Sequence, residues 1–225
     1  MGRQFTGSTQ IILRGSAVLT AMPTNGLTFL TRFKLANHAD AIFHNLIQLG
    51  RMSGGAGNES GWNLGIDNTG KIYARTIIST ANTDAFSSNA VPDELPHTAG
   101  GVWLPSNASR RAWLDDVGGT AETTSRVPDK VINDTGLGCY KTSGTGLFDN
   151  SGHTMEWAAI YNAALDDAEM KMAAYGVPPP FIRPGSLVAC CALEDVAQDW
   201  RGPPWTITGA AKVQNLGAQF TRYAA

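Results

Sequence analysis

The chain has 225 residues, 43% of them hydrophobic and 16% charged, with a formal net charge of -2. That is enough apolar material for a substantial core, and one all-β domain of this size is ordinary. Basic runs are no longer than pairs such as Arg110-Arg111, which leaves no electrostatic footprint for nucleic acid. No apolar run is long enough for a membrane-spanning helix, and the first residues enter strand-like sequence without a signal-peptide core. The expectation is a protein made in the cytosol, with neither nucleic acid nor membrane as partner.

Taken in chain order, residues 10–13 form a first short apolar strand. In Leu27–Leu35 the residues Leu27, Phe29, Thr31, Phe33 and Leu35 alternate with Thr28, Leu30, Arg32 and Lys34, the two-residue period of a half-buried strand. Strand signals continue over 41–49, 61–66 and 71–78, with Asp67-Asn-Thr-Gly70 as the hairpin turn between the last two. Residues 79–96 read as a polar, poorly patterned loop. Strands return at 97–104 and 110–115 around Pro105-Ser-Asn-Ala-Ser109, residues 116–119 turn the chain, and 137–140 form a short strand.

Residues 155–176 run from an apolar strand into a well-punctuated helix. Asp166 reads as its N-cap with Glu169 as capping-box partner, Leu165 and Met170 as a hydrophobic staple, and Gly176 as the stop before Val177-Pro178. Pro178-Pro-Pro180 stiffens a crossing towards two further strands, 186–193 and 205–213. So many antiparallel strands require two packed sheets to bury their inner faces. Cys139, Cys190 and Cys191 are an odd set whose adjacent pair would face opposite sides of a strand, so they read as buried thiols and not as a disulfide framework.

The order of these pieces resembles the laminin-G-like and concanavalin A-like jelly-roll superfamily. Arg3-Gln-Phe-Thr-Gly-Ser-Thr-Gln-Ile-Ile-Leu13 is similar to its opening strand, and Leu27-Thr-Phe-Leu-Thr-Arg-Phe33 to its second motif. His97-Thr-Ala-Gly-Gly-Val-Trp103 with Ser109-Arg-Arg-Ala-Trp-Leu-Asp115 resembles its central hairpin, and residues 156–169 resemble its closing strand and helix. Asp116-Val117 departs from the usual glycine after the strand aspartate. Gly176-Val-Pro-Pro-Pro-Phe-Ile-Arg-Pro-Gly-Ser-Leu187 resembles the run-on of copies found in tailed-bacteriophage virion proteins.

The resemblance implies an all-β, two-sheet antiparallel jelly-roll sandwich with one short helix near 166–175. It implies a single domain over 1–225 whose extension from about 177 completes the sandwich and contacts a neighbour. For function it implies a non-enzymatic virion component, as head decoration or tail protein, assembled in the host bacterial cytoplasm. Other virion proteins and further copies of the chain would be its partners. The alternative is a carbohydrate-binding adhesin module for host-surface glycans, with calcium at the loop rim left open.

The residues add little chemistry. No strand carries the paired carboxylates of a glycosidase, and no nucleophile elbow, zinc helix or phosphate loop is present; Glu194-Asp195 with Asp199 reads as a solvated turn. No catalytic or cofactor residue is assigned. Calcium candidates are Asp67, Asp115, Asp116, Asp134 and Asp149, each in a setting where turn geometry also selects Asp. His38, His44, His97 and His153 lack ligand spacing. Trp62, Trp103, Trp113 and Trp157 read as core, while Trp200, Arg201 and Trp205 around a Pro-rich loop are the candidate interface or glycan contact. Glu156 shares a strand face with Ala158 and Ile160 and is expected to pair with Arg110 or Arg111. The Asn-x-Ser/Thr sequences at Asn58, Asn107 and Asn133 occur at chance frequency.

Overall fold

The computed structural model describes residues 2–5, 11–14, 17–39, 41–51, 60–78, 81–138, 140–141, 147–148, 152–193, 197–201, 206–208 and 212–214. In chain order the first strands are β1 (Gly2–Phe5), β2 (Ile11–Arg14), β3 (Leu27–Leu35), β4 (His44–Arg51), β5 (Ser60–Ile66) and β6 (Lys71–Ile78). They are followed by β7 (Ala81–Ala90), β8 (His97–Trp103), β9 (Arg110–Leu114), β10 (Val117–Gly118), β11 (Asp134–Leu137), β12 (Tyr140–Lys141), β13 (Leu147–Phe148) and β14 (His153–Tyr161). Helices α1 (Asp167–Ala174) and α2 (Pro179–Ile182) precede β15 (Leu187–Leu193), β16 (Ala197–Arg201), β17 (Thr206–Thr208) and β18 (Lys212–Gln214).

Two antiparallel sheets result, the expected jelly-roll sandwich. The first runs β10-β9-β8-β3-β14, and the far side of β14 is shared between β1, with β18 beyond it, and β15, with β16 beyond it. The second runs β17-β2-β11-β4-β5-β6-β7, and β12 pairs with β13.

Strand β14 is buried at every residue, because its two faces serve two cores. Met155, Ala158 and Ile160 join Phe29, Phe33, Trp62 and Trp103 between the sheets. Trp157, Ala159 and Tyr161 join Leu30, Trp113, Met170 and Ala173 beneath α1. Strict alternation would put Met155 and Trp157 on one face. The register against β3 shifts between them, so that Glu156 is the extra residue of a bulge and the phase changes there. Thr31 Oγ1 donates to Trp157 O at 2.6 Å beside the bulge.

Glu156 pairs with Arg32, Nε to Oε2 2.8 Å, and not with Arg110 or Arg111 as expected. Those two stand on β9, three strands from β14 in the sheet order, about 14 Å away at ordinary strand spacing. Arg110 is buried and donates to Thr124 O. Arg111 donates to Gly119 O at 2.7 Å and lays its guanidinium 4.6 Å above the Trp113 ring.

The helix signals hold in detail. Glu169 N donates to Asp166 Oδ1 and Asp166 N to Glu169 Oε2, both at 2.9 Å, while Leu165 and Met170 are buried in the outer core. Gly176 adopts φ +88° as the stop. Met170 occupies the space over Gly100, where a Cβ would stand 2.2 Å from Met170 Cε. The proline run forms α2 instead of an extended crossing; Pro cannot donate but is accepted in a first turn. Ile182 is thereby buried, and Tyr161 Oη donates to Pro179 O at 2.8 Å. Between the sheets, the Trp103 ring packs edge-on to Phe29 at 5.0 Å and its Nε1 donates to Thr76 Oγ1 of the second sheet at 3.2 Å.

Three segments differ from expectation. Residues 81–90 are a strand, β7, along the edge of the second sheet, with only Ala85 and Ser87 buried. An edge strand with one solvated face needs few apolar residues, so its period is faint. At its corner Gly119 meets the Phe86 carbonyl so closely that a Cβ would lie 1.8 Å from that oxygen, and Ser88 Oγ donates to Gly118 O at 3.1 Å. Asp199, Trp200 and Arg201, expected in a loop, lie on β16, which pairs with the open edge of β15. The stretch expected as one strand over 205–213 is split into β17 and β18, which join different sheets. Cys190 and Cys191 are buried, one in each core, and Cys139 lies outside the described residues.

Two substitutions separate the local from the inter-sheet contributions. Asp166→Ala is expected to cost about 1 kcal/mol through the lost N-cap, and Trp103→Ala about 3–5 kcal/mol through the lost core volume. Urea unfolding of the two variants beside the parent chain measures both.

Candidate functional site at one end of the sandwich

The strand register brings one set of termini together. In the first sheet Leu35 stands opposite His153, Phe33 opposite His97 and Ala99 opposite Leu114. In the second, His44 stands opposite Ile66 and Lys71 opposite Ala90. Loops 36–43, 67–70, 91–96 and 115–116 therefore share one end, and the His44 and His153 rings meet edge to face across the two sheets at 5.7 Å.

A pocket of about 120 Å³ opens there between the first two loops. Buried Leu35, His44 and Ile66 form its floor, while exposed His38, Ile42 and Thr69 stand at its mouth. Both walls are tied down locally. Asp67 Oδ1 accepts Thr69 N at 2.9 Å, Thr69 Oγ1 at 2.7 Å and Lys71 N at 2.9 Å, an Asx turn completed by Gly70 at φ +81°. Opposite, Ala39 N donates to Asn37 Oδ1 at 3.0 Å, and Ala41 takes φ +54° to turn Ile42 and Phe43 towards solvent. His38 Nδ1 lies 2.9 Å from Glu94 Oε1 and fastens this loop to loop 91–96. That contact holds the Glu94 carboxyl below the usual carboxylate range.

Phe43, 39% exposed, continues the apolar rim onto the outer face of the second sheet. Its ring meets Tyr73 edge-on at 6.4 Å, Tyr73 stands opposite Phe86 across the strand pair, and Phe86 is also 39% exposed. Tyr73 is fixed by its hydroxyl donating to Asn45 Oδ1 at 3.0 Å and by Arg75 4.7 Å above its ring. Burial pushes the Tyr73 phenol far up, so it stays a protonated donor. Arg75 is itself clasped by Asp84 through Nε and Nη2 at 2.7 and 2.8 Å.

A second clamp closes the same end. His97 Nδ1 lies 2.8 Å from Asp115 Oδ2 and Nε2 3.1 Å from Asp93 Oδ1, while Asp115 Oδ1 accepts Thr98 N at 2.8 Å. Asp115 turns the hairpin at φ +52° where the family pattern led to a glycine one position later; aspartate tolerates this region better than most residues. The Asp115 hydrogen bond raises the His97 pKa, and the Leu95 amide followed by His97 lowers that of Asp93.

The calcium candidates are not gathered. Asp67 is committed to its turn and Asp115 to His97, Asp116 accepts Tyr175 Oη at 3.1 Å, Asp134 starts β11, and Asp149 lies outside the described residues. Among the described residues no group of three His, Cys, Asp or Glu is arranged so that it could hold a metal. Trp62, Trp103, Trp113 and Trp157 are all buried. The backbone of Trp200 and Arg201 lies on β16, while their side chains and Trp205 lie outside the described part of the structure. Asn107 is fully buried and accepts Trp62 Nε1 at 3.1 Å; Asn58 lies outside the described residues. Sequence reading missed the pocket. The usable signal was that all four histidines flank strand ends that an antiparallel sandwich brings to one side.

No protein-family model matches the sequence, and no curated protein matches it. Solved structures share the fold. A heptameric SAP-like pentraxin from Limulus polyphemus superposes with TM-score 0.56 at 11% identity over 77% of this chain and 81% of that one. The binding domain of Botulinum neurotoxin serotype D gives 0.55 at 10% identity over 77% of this chain and 41% of that one. The CBM40 of Ruminococcus gnavus IT-sialidase, bound to alpha2,3 sialyllactose, gives 0.54 at 13% identity over 72% and 97%.

The His97 clamp makes stability depend on pH. A raised histidine pKa stabilises fully below the ordinary value of 6.5, and the contribution is lost as pH rises through the higher folded value. The melting temperature of the parent chain is expected to fall from about pH 6 to about pH 8.5, and His97→Gln to flatten that interval. Thermal melts of both proteins at the two pH values check it.

Proposed function

We propose that the chain is a non-catalytic glycan-recognition module that holds the end of a surface glycan in the rim pocket beside Ile42 and Phe43. The carrying observation is the pocket itself, whose floor sets His44 between apolar Leu35 and Ile66, whose mouth mixes Ile42 with His38 and Thr69, and whose two walls are locked by Asx turns before any ligand arrives. Pre-organisation of this kind lowers the ordering cost of binding, and a lining that mixes apolar groups with fixed polar ones suits a sugar ring. The fold neighbour bound to sialyllactose supports the reading by likeness of scaffold.

A hydrolytic role would need a carboxylic acid with a raised pKa as proton donor. Among the described rim residues, Asp93 and Glu94 are held below the usual carboxylate range, and Asp67, Asp115 and Asp116 are engaged in structural hydrogen bonds. These observations favour binding over turnover.

In the same reading the module is carried on a bacteriophage particle, as a head decoration or tail protein contacting other virion proteins and further copies of itself. That placement draws on the motif at Gly176–Leu187, whose residues build α2 and seal the outer core. Mass spectrometry of purified virions tests it, and absence of the chain from the particle would remove it.

Ala39→Trp, at an exposed position lining the pocket, is expected to lower glycan-array signal about tenfold or more by filling the mouth. The melting temperature should stay within about 2 °C. Phe43→Ala should weaken binding to a lesser extent. An array blank with the parent chain, with and without calcium, would sink the glycan reading.

A further inference from the structure

We infer that the rim pocket takes the terminal ring of a neutral glycan and turns away carboxylated sugars, an inference that rests on the glycan reading above. Its volume of about 120 Å³ is well under the roughly 300–1,000 Å³ of sites that enclose drug-sized ligands. One ring edge is therefore all it can admit, and the ligand is met at its terminus.

The charge of the walls then decides which terminus. Asp67 lines the pocket; its Oδ1 already accepts three donors, and among the described residues nothing donates to Oδ2. Glu94 adds a second carboxylate behind His38. Among the described lining residues there is no Lys or Arg. Lys71, next along the chain, begins β6 beyond the turn and is not part of the lining. The guanidinium on the neighbouring strip, Arg75, is matched by both oxygens of Asp84. A carboxylated sugar would place its charge beside Asp67 with no Lys or Arg in the described lining to receive it and with the His38 Nδ1 already engaged by Glu94, a juxtaposition that works against binding. A neutral ring instead offers hydroxyl donors to the open carboxylate oxygen and its apolar face to Ile42. Glycans longer than one residue would continue over Phe43 towards Phe86, the exposed aromatic strip beside the mouth.

The test is an array of matched pairs, each a neutral-ended glycan and the same glycan capped with a sialic acid. The parent chain is expected to prefer the neutral member by about tenfold or more. Asp67→Asn keeps the Oδ1 acceptor of the turn while removing the charge, and should shrink that preference to within about threefold. Asn68→Lys, at an exposed position of the same turn, should do the same without touching the turn acceptor. Preference of the parent chain for the capped members, lost in Ala39→Trp, would overturn this inference and leave the glycan reading standing. Neutral preference unchanged in both charge variants would also overturn it. No signal from any glycan would remove the glycan reading itself, and this inference with it.

Discussion

Everything in this fold hangs on a strand that is allowed no solvent. β14 is hydrogen-bonded along its whole length to β3 and on its other side to β1 and β15, and both of its faces carry core. Such a strand cannot follow the half-polar alternation of an ordinary antiparallel edge; it reads as a near-continuous apolar run, as in sheets covered on both sides. Two consequences follow from that one constraint. The second sheet must dock on the inner face, and α1 must dock on the outer one. The Glu156 bulge reconciles the two by changing which face each residue serves, at the cost of a buried carboxylate that Arg32 offsets.

Docking two sheets on one another places their loops side by side, and this is how residues distant in sequence come to line one pocket. Loop 36–43 continues from the first sheet to the second, and loop 67–70 belongs wholly to the second. The clamps formed by His38 with Glu94 and by His97 with Asp93 and Asp115 fix loops that a bare jelly roll would leave free. A shared scaffold says nothing about which ligand such loops select. The rim side chains here stand on short, hydrogen-bonded turns.

The sequence was most legible where local physics and tertiary packing agree. Leu27–Leu35 shows its period, Asp166 and Glu169 form the box their spacing demands, and Asp67 to Gly70 turn as a hairpin should. It was least legible where burial is supplied by a distant element. β7 is polar because one face is solvated, and β16 exists because β15 would otherwise leave its backbone groups unpaired. The partner of Glu156 depended on strand order, which no local pattern contains. The pocket was hidden for the same reason: His38, Ile42 and Thr69 are ordinary loop residues until topology places them together.

The corner where Gly119 abuts the Phe86 carbonyl bears on self-association. β7 is the terminal strand of its sheet, and an open terminal strand is a template on which a foreign strand can add. The approach of Gly119 and the hydrogen bond from Ser88 to Gly118 put backbone from the other sheet where an invading strand would have to lie. Around Phe86 and Ser88 the molecule thus guards this border against fibril-like stacking with atoms of its own main chain.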